Sequence, residues 1–229
     1  MTTTPDGHPG NNVNHGHNGD TQSWLQAPFV LASGSASRLG MLRAVGIDPI
    51  IAPAALDEDE VKASCKAAGL TAGETAEALA ETKAKRVAAK YPDAYILGCD
   101  QIMAIEPKGD QPYTWFDKPA DHGVLRDQLM AISGQTHVLE TAAVLLYRGA
   151  RIWHQLARPK LTVRPLTAEF IDQYVASAGD ELLSCVGGYQ IEALGPHLFH
   201  RIEGDEFSIR GLPLLPLLGF LRERKVILG

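Results

Sequence analysis

The sequence of 229 residues is poor in cysteine and lacks long apolar runs. Its three cysteines, Cys65, Cys99 and Cys185, are far apart, and no pair has zinc-finger or CxxC spacing, which favours a reduced cytosolic setting over a disulfide scaffold. The longest apolar stretch near the C-terminus, residues 212–221, is too short and too interrupted by proline to span a bilayer. The first 23 residues have no apolar core of the kind found in signal peptides. We therefore expect a cytoplasmic protein that does not bind a membrane.

The chain also lacks an excess of positive charge and the common catalytic motifs. It has 21 lysines and arginines against 27 aspartates and glutamates, a formal net charge of −6, which argues against broad nucleic-acid binding. No Walker loop, GxGxxG, HExxH or GxSxG pattern occurs. An acidic protein of this kind could handle phosphorylated substrates only with local cations, either a bound metal or specific lysines and arginines.

Composition divides the chain into a tail and one domain. Residues 1–26 are polar and rich in glycine, asparagine, threonine and histidine, which predicts a disordered extension. His8, His15 and His17 could be metal ligands, but incidental histidines in a polar tail are the simpler interpretation. Residues 27–229, with order expected from Pro28, form the domain. The chain as a whole is 45% hydrophobic and 21% charged, typical of a globular protein that needs no disulfide or structural metal to fold.

Short apolar strands alternate with helical patterns along the domain. A continuous apolar run such as residues 29–32 is typical of a strand buried on both faces. The predicted strands are 29–32, 50–52, 95–99, 102–105, 137–147, 152–163 and 198–202, and the predicted helices are one ending at Gly46, 71–90, 121–133, 167–178 and one after Pro213. This alternation predicts an α/β fold with a mixed sheet.

A turn rich in serine and glycine follows the first strand. Backbone N–H groups at the start of the next helix point outward and carry partial positive charge, so the turn can hold phosphate oxygens. Ser33, Ser35 and Ser37 add hydroxyls, and Arg38 adds a cation. The alternative is an ordinary serine-capped helix with a solvated arginine.

Two acidic positions are candidates for chemistry. Asp100 is predicted to end an apolar strand beside a cleft, where a carboxylate could bind a divalent metal or act as a general base toward water. The alternative for Asp100 is a satisfied turn residue. The acidic run 57–60, which contains Glu58, is otherwise interpreted as a solvated charged stretch.

Three cations are candidates for binding phosphate. Lys118 lies before Pro119, and a proline-stiffened loop fixes the reach of its amine. Lys83 lies in a helix, where a surface lysine is the alternative. Arg210 precedes the last predicted helix and could form a second anion-binding corner.

Taken in order, these segments resemble the Maf family of nucleotide pyrophosphatases, from about residue 29 to residue 222. The segments that carry the likeness are LASGS (31–35) with Arg38, ETKA (81–84), LGCDQ (97–101), DKP (117–119), SGQTH (133–137), GY through a later glycine (188–195) and GLPL (211–214). The resemblance implies a two-lobed α/β fold related to inosine triphosphate pyrophosphatase, with an elongated mixed sheet, a cleft between the lobes and a homodimer. It also implies hydrolysis of nucleoside triphosphates between the α and β phosphates, dependent on Mg²⁺ or Mn²⁺.

The resemblance also implies roles for individual residues. Asp100 is similar to the family's catalytic proton acceptor and metal ligand, and Glu58 to its acidic cleft residue, a second metal ligand. Lys83 and Lys118 resemble its two charge-neutralising lysines. The substrate-binding turn is implied to comprise Ser33, Ser35, Ser37 and Arg38.

The sequence departs at two positions from a pattern that many family members share, and at two more from the members that act on dTTP and UTP. Ala36 and Ser37 stand where many members have proline and a second arginine. Gln101 follows the catalytic aspartate where relatives that act on dTTP and UTP have threonine, and Glu192 stands where those relatives have glutamine. The Gln101 and Glu192 pair, both assigned to substrate binding, is similar to the branch that prefers 7-methyl-GTP.

Two other functions remain open from the sequence. A nucleotide-binding regulator of cell division without turnover could keep the same cleft, although a pure binder would need no catalytic base. A phosphohydrolase that releases orthophosphate is the other alternative. The products separate the three functions: pyrophosphate, no product or orthophosphate.

Overall fold

The computed structural model describes residues 24–106 and 113–228. Within these ranges the chain forms one eight-stranded sheet and seven α-helices. The strands are β1 (Phe29–Leu31), β2 (Ile50–Ile51), β3 (Tyr95–Ile105), β4 (Thr114–Phe116), β5 (Thr136–Tyr147), β6 (Ala150–Ala157), β7 (Lys160–Val163) and β8 (Phe199–Glu203). The helices are α1 (Ala36–Ala44), α2 (Glu58–Ala67), α3 (Ala72–Ala88), α4 (His122–Ile132), α5 (Ala168–Ala178), α6 (Glu206–Ile209) and α7 (Leu214–Glu223).

Two long antiparallel strands, β3 and β5, form the spine of the sheet. The strand order is β2-β1-β3-β5-β7-β8, with β4 paired to β3 and β6 paired to β5. β1 is parallel to β2 and β3, and all other pairs are antiparallel. Each long strand changes its outer partner midway. Along β3 the partner changes from β1 to β4, and along β5 it changes from β7 to β6. The sheet is therefore elongated and mixed, with two halves, which confirms the predicted fold class.

Alternation along β3 assigns its side chains to two faces. Leu97 and Cys99 pack with α1 and α7 on one face, and Ile96 and Ile102 pack with α3 on the other. A third core, around α4 and α5, covers the second half of the sheet through Met103. Because side chains alternate, Asp100 lies on the α3 face, whereas Gln101 lies on the opposite face.

Two sequence predictions about β3 and its surroundings are wrong. Asp100 does not end a strand, because β3 continues through it and the whole segment pairs with β5 from Tyr95 to Ala104. The predicted strand at 152–163 is two strands, β6 and β7, which are separated at Arg158 and Pro159. Proline cannot donate a ladder hydrogen bond, so the strand is interrupted there.

The acidic run at 57–60 begins a helix that the sequence did not predict, and three of its four residues are exposed to solvent, as a solvated charged stretch would be. Asp57 is the N-cap of α2, and its side chain accepts a hydrogen bond from the Glu60 backbone at 3.0 Å. Acidic residues in the first turn favour a helix by opposing its dipole. No residue of α2 is buried, and Val61 alone of its large apolar residues packs partly buried against the core, so the apolar stripe that indicates a helix is short.

The described chain starts before the expected boundary. Leu25 forms a bridge with Ile227, Gln26 N donates to Val226 O at 2.8 Å, and Leu228 N donates to Trp24 O at 3.0 Å. Residues 24–26 therefore pack with the domain, three residues into the predicted extension. The rest of that extension, with its three histidines, lies outside the described residues. None of the helices in the described ranges combines the length and apolar character that a bilayer crossing requires.

Candidate active site

An interruption in pairing along β3 creates the candidate site. β1 pairs with β3 as far as Leu97, and β4 pairs with it only from Met103 onward. Among the described strands, none pairs with this edge of β3 between those two residues. Asp100 and Gln101 lie in the interval, and the turn after β1 ends beside it. We refer to this open interval between the two halves of the sheet as the cleft.

Lys83 joins two carboxylates at this edge. Its Nζ is 2.5 Å from Asp100 Oδ1 and 2.8 Å from Glu58 Oε1. The Lys83 and Asp100 side chains are 9% and 6% exposed, whereas that of Glu58 is 44% exposed, so the first pair is buried and the second opens to solvent. Three separate elements, α2, α3 and β3, thus place their charged side chains at one point.

A glycine allows α3 to come this close to β3. A Cβ at Gly98 would lie 2.0 Å from the Ala80 carbonyl oxygen and 3.0 Å from the Ala84 Cβ. Gly98 precedes Asp100 by two residues on the same face, and Ala80 and Ala84 flank Lys83 in the helix. Because Gly98 has no side chain, α3 lies close enough to β3 for Lys83 to reach Asp100.

Burial and neighbouring charges shift the pKa values of the two carboxylates in this cluster. Burial raises the pKa of Asp100 above its ordinary value, against the opposing effects of the Lys83 and Arg38 charges. Burial alone would also raise the pKa of Glu58, but Lys83, by hydrogen bond and charge, and the charges of Lys118 and Lys62 bring it below its ordinary value. Asp100 Oδ2 is buried and has no hydrogen-bond partner among the described residues. Asp100 is thus the more basic carboxylate, with one oxygen left to accept a proton.

The turn after β1 brings two serine hydroxyls and a guanidinium together. The Ser35 side chain caps α1 by accepting from Arg38 N at 3.4 Å, and Ser33 Oγ accepts from Ser35 N and from Arg38 Nη1, both at 3.2 Å. Arg38 Nε donates to Gly211 O at 2.8 Å. Gly211 has a φ of 99°, a conformation that few other residues adopt, and a Cβ there would lie 3.2 Å from the guanidinium. The geometry therefore places Arg38 within the electrostatic reach of Asp100.

Ser37 and Gln101 contact the segment that precedes α7. Ser37 Oγ donates to Arg210 O at 3.4 Å. The Gln101 amide donates to Thr141 Oγ1 at 2.7 Å and to the carbonyl oxygens of Ser208 and Ile209, both at 3.1 Å. The Gln101 N–H groups are therefore engaged by protein acceptors, which favours a positioning role over the substrate contact expected from sequence.

Glu192 is linked to the segment before α7 through Arg210. Arg210 Nε is 3.2 Å from Glu192 Oε1, and Arg210 Nη1 is 3.1 Å from Glu206 Oε1. One cation thus faces two carboxylates, so these three side chains together carry a net negative charge. Arg210 itself, considered above as an anion-binding cation, is occupied by carboxylates in this structure.

Lys118 and Lys62 complete the set of cations. Lys118 is exposed, and its charge acts on Glu58 across the cleft. Lys62, in α2, donates to Asp117 Oδ1 at 2.5 Å and is the cation that the sequence analysis missed. The available signal was its position four residues after Glu58, which places both side chains on one helix face once α2 is recognised.

The carboxylates fit a metal that the substrate would bring with it. The described residues contain no group of three or more histidine, cysteine, aspartate or glutamate side chains arranged to hold a metal ion. Mg²⁺ in nucleotide enzymes commonly uses only one or two carboxylates, with phosphate oxygens and water as its other ligands. Half-exposed Glu58 and the Oδ1 of Asp100 that Lys83 contacts could supply these ligands, which leaves Asp100 Oδ2 for a proton.

Comparison with known proteins gives one consistent family. The family described as Maf-like protein matches residues 28–224. A nucleoside triphosphate pyrophosphatase of Rhodospirillum rubrum is 47% identical over 90% of this chain and 100% of its own length. One from Hyphomonas neptunium is 51% identical over 89% of this chain and 99% of its own. A 7-methyl-GTP pyrophosphatase of Brucella abortus is 44% identical over 90% of this chain and 100% of its own.

Proposed function

The chain belongs to the Maf family, and from this membership we propose that the protein hydrolyses nucleoside triphosphates to the monophosphate and pyrophosphate. The names of the relatives, which cover almost the whole chain, support this activity. The observation that carries it here is the Asp100–Lys83–Glu58 cluster at the open edge of β3, facing the turn that holds Arg38. A regulator without turnover would not need a buried carboxylate with a raised pKa.

Asp100 is the proton acceptor in this proposal. A water molecule attacks the α-phosphorus and gives its proton to Asp100, the bond to the β-phosphate oxygen breaks, and pyrophosphate leaves. Burial makes the Asp100 carboxylate more basic than a solvated one, and its Oδ2 has no competing hydrogen bond within the described chain. Lys83 on Oδ1 orients the carboxylate.

The cations stabilise the phosphates. A nucleoside triphosphate brings about four negative charges to the cleft, and these must be offset because the site is partly removed from water. Arg38 with the Ser33–Ser35 turn would bind phosphate oxygens from one side, with Ser37 beside them. Lys83 and Lys118 would offset the charge that develops on pyrophosphate from the other side.

A divalent cation, Mg²⁺ or Mn²⁺, would be held by Asp100 and Glu58 together with the substrate phosphates. When bound, it would supply a Lewis acid that withdraws charge from the phosphate oxygens. Removal of divalent ions with a chelator should abolish turnover, and either metal should restore it.

We further propose a preference for 7-methyl-GTP over pyrimidine triphosphates. N7-methylation gives the purine a positive charge, which suits a corner where Glu192 and Glu206 share one arginine. Glu192 would be the base-facing residue, and Gln101 would act by holding the Ser208–Ile209 backbone in place. Relatives of this chain carry both the general and the 7-methyl-GTP name. Discrimination over dTTP and UTP could reach about 10² in kcat/KM.

One experiment tests the activity and its base preference. A panel of triphosphates, including 7-methyl-GTP, dTTP and UTP, is incubated with the protein and Mg²⁺ while pyrophosphate and orthophosphate are measured separately. Pyrophosphate from at least one substrate is expected, and an Asp100→Asn protein should be about 10² or more slower while keeping its fold. Full activity in Asp100→Asn would disprove the base assignment, and turnover of dTTP or UTP equal to that of 7-methyl-GTP would disprove the preference alone.

Assembly and location complete the proposal. We expect a cytoplasmic homodimer, a state that light scattering on the purified protein would test. Ile50 and Ile51 of edge strand β2, each 46% exposed, are apolar residues that such an interface could cover.

A further inference from the structure

Lys62 makes an ion pair with the residue that precedes Lys118. Its Nζ is 2.5 Å from Asp117 Oδ1, and its side chain is 17% exposed. The backbone carbonyl of Asp117 also accepts from Gln128 Nε2 of α4 at 3.1 Å. The segment that carries Lys118 is therefore held from both sides, by α2 and by α4.

The negative charge of Asp117 is unfavourable for binding phosphates in the cleft. It is adjacent to Lys118 and close to a cleft that would receive a polyanion. Left alone, its carboxylate would repel the phosphates and compete with them for the Lys118 amine. Lys62 offsets that charge, and its own charge also acts on Glu58 and Asp100. The pair thus belongs to the electrostatic environment of the cleft.

We propose that Lys62 is a positioning residue that acts through Asp117: it neutralises this carboxylate and keeps it from pairing with Lys118, so that Lys118 is free to bind the phosphates of the substrate. This role rests on the proposed function, because it concerns the same phosphate site. Lys62 does not itself contact the phosphates. Its removal should therefore impair substrate binding only while Asp117 keeps its charge.

The next turn of α2 provides a matched control. Lys66 lies four residues further along the helix, and its Nζ is 4.4 Å from the centre of the Trp115 ring. Lys66 links α2 to β4 and Lys62 links it to the segment after β4, but of the two lysines only Lys62 neutralises Asp117. If Lys62 merely docked α2, which has no buried residues, Lys66→Ala would have the same effect.

The test compares Lys62→Ala, Asp117→Asn, the double variant and Lys66→Ala. We measure KM and kcat for the best substrate and, by calorimetry, the affinity for pyrophosphate, which needs no turnover. Lys62→Ala should raise KM and weaken pyrophosphate binding by roughly fivefold, the upper range for a partly exposed pair, with kcat within about twofold of the parent. Asp117→Asn in the Lys62→Ala background should restore both values to within about twofold.

The outcomes distinguish this role from its rivals. A double variant as impaired as Lys62→Ala would overturn the proposal, because Lys62 would then contact the anion or only support the helix. Equal impairment in Lys66→Ala would overturn it as well. If the parent protein bound pyrophosphate but hydrolysed no triphosphate, the proposed function would fail, and the binding series would still decide the role of Lys62.

Discussion

Lys83 pairs with the carboxylates of Asp100 and Glu58, and burying these charges costs the folded protein free energy. Burying the Lys83–Asp100 pair removes both charges from water, and such pairs are often no more stable than apolar residues of the same size. Glu58 adds a second negative charge that opens to solvent. A role in phosphate chemistry would explain this cluster better than stability does, and Lys83 should respond to mutation differently from exposed Lys118.

Lys83→Ala and Lys118→Ala should both lower activity, but only the first should lower stability. Each removes a cation from the phosphate site, and kcat/KM should fall by the equivalent of about 2 kcal/mol or more. Lys83→Ala also leaves Asp100 buried without its partner, which should reduce the free energy of unfolding by about 3 kcal/mol. Lys118 is exposed, so its variant should unfold like the parent in urea. Normal turnover in either variant would make that lysine a structural or surface residue.

His137 is a buried residue outside the active site whose titration affects stability. It is 0% exposed, its Nε2 is 2.8 Å from Tyr189 Oη, and its Nδ1 has no hydrogen-bond partner among the described residues. Burial lowers the pKa of His137 from 6.5 to about 4. The folded protein therefore binds this proton more weakly than the unfolded chain does.

Acidification should consequently destabilise the fold through His137. The stability that the fold gains from holding His137 neutral is fully present above about pH 6.5. It is lost as the pH falls toward 4, and the free energy of unfolding does not change further through His137 below that pH. Between about pH 7 and pH 5 the loss is about 2 kcal/mol. Urea unfolding of the parent and of His137→Gln, which cannot titrate, should show a smaller pH dependence in the variant. The same pH dependence in both proteins would contradict this assignment.

At the scale of the elements, the contact between α3 and β3 sets the geometry of the site. Gly98→Ala would place a methyl group 2.0 Å from the Ala80 carbonyl oxygen and would push the helix, with Lys83, away from Asp100. We expect a loss of about 2 kcal/mol in stability and a clear loss of activity. Gly40→Ala is the control, because nothing lies within 4 Å of its new Cβ and alanine favours a helix. Parent-like activity in Gly98→Ala would show that the site tolerates movement of α3.

The sequence predicted most helices because their apolar periodicity or caps are local signals. α3, with a capping box between Thr71 and Glu74, and α5, capped by Thr167, lie within two residues of their predicted bounds. α2 was missed because it has no buried face. The continuity of β3 through Asp100 was missed because polar residues interrupt the apolar run, whereas pairing with β5, a distant segment, maintains the strand.

The site was predictable only in part, because local patterns identify its residues but not how they come together. Asp100, Lys83 and Arg38 were selected from motifs and Glu58 from the family resemblance, and the structure brings their charges together. Their convergence depends on the change of strand partner along β3, which no local pattern reveals. The Lys62–Asp117 pair spans 55 residues and depends on the unrecognised helix α2. Long-range contacts of this kind cannot be read from one sequence.

On the scale of the whole molecule, the two ends of the described chain stabilise each other. Trp24–Gln26 pair with Val226–Leu228, and the Trp24 ring lies against Gly46. A protein that begins at Trp24 should keep full activity, because the composition of residues 1–23 does not favour a packed core. A protein that begins at Pro28 should lose roughly 2 kcal/mol with these backbone hydrogen bonds. Loss of activity in the first truncation would show that the tail contributes to function.

The central claim is that water attacks the α-phosphorus of a bound triphosphate and that pyrophosphate leaves. Hydrolysis in ¹⁸O-labelled water, followed by phosphorus NMR and mass spectrometry of the products, tests it most directly. We expect monophosphate and pyrophosphate in equal amounts, with the label in the monophosphate alone. Orthophosphate with a nucleoside diphosphate, label in the pyrophosphate, or no turnover of any triphosphate in the presence of Mg²⁺ or Mn²⁺ would contradict it.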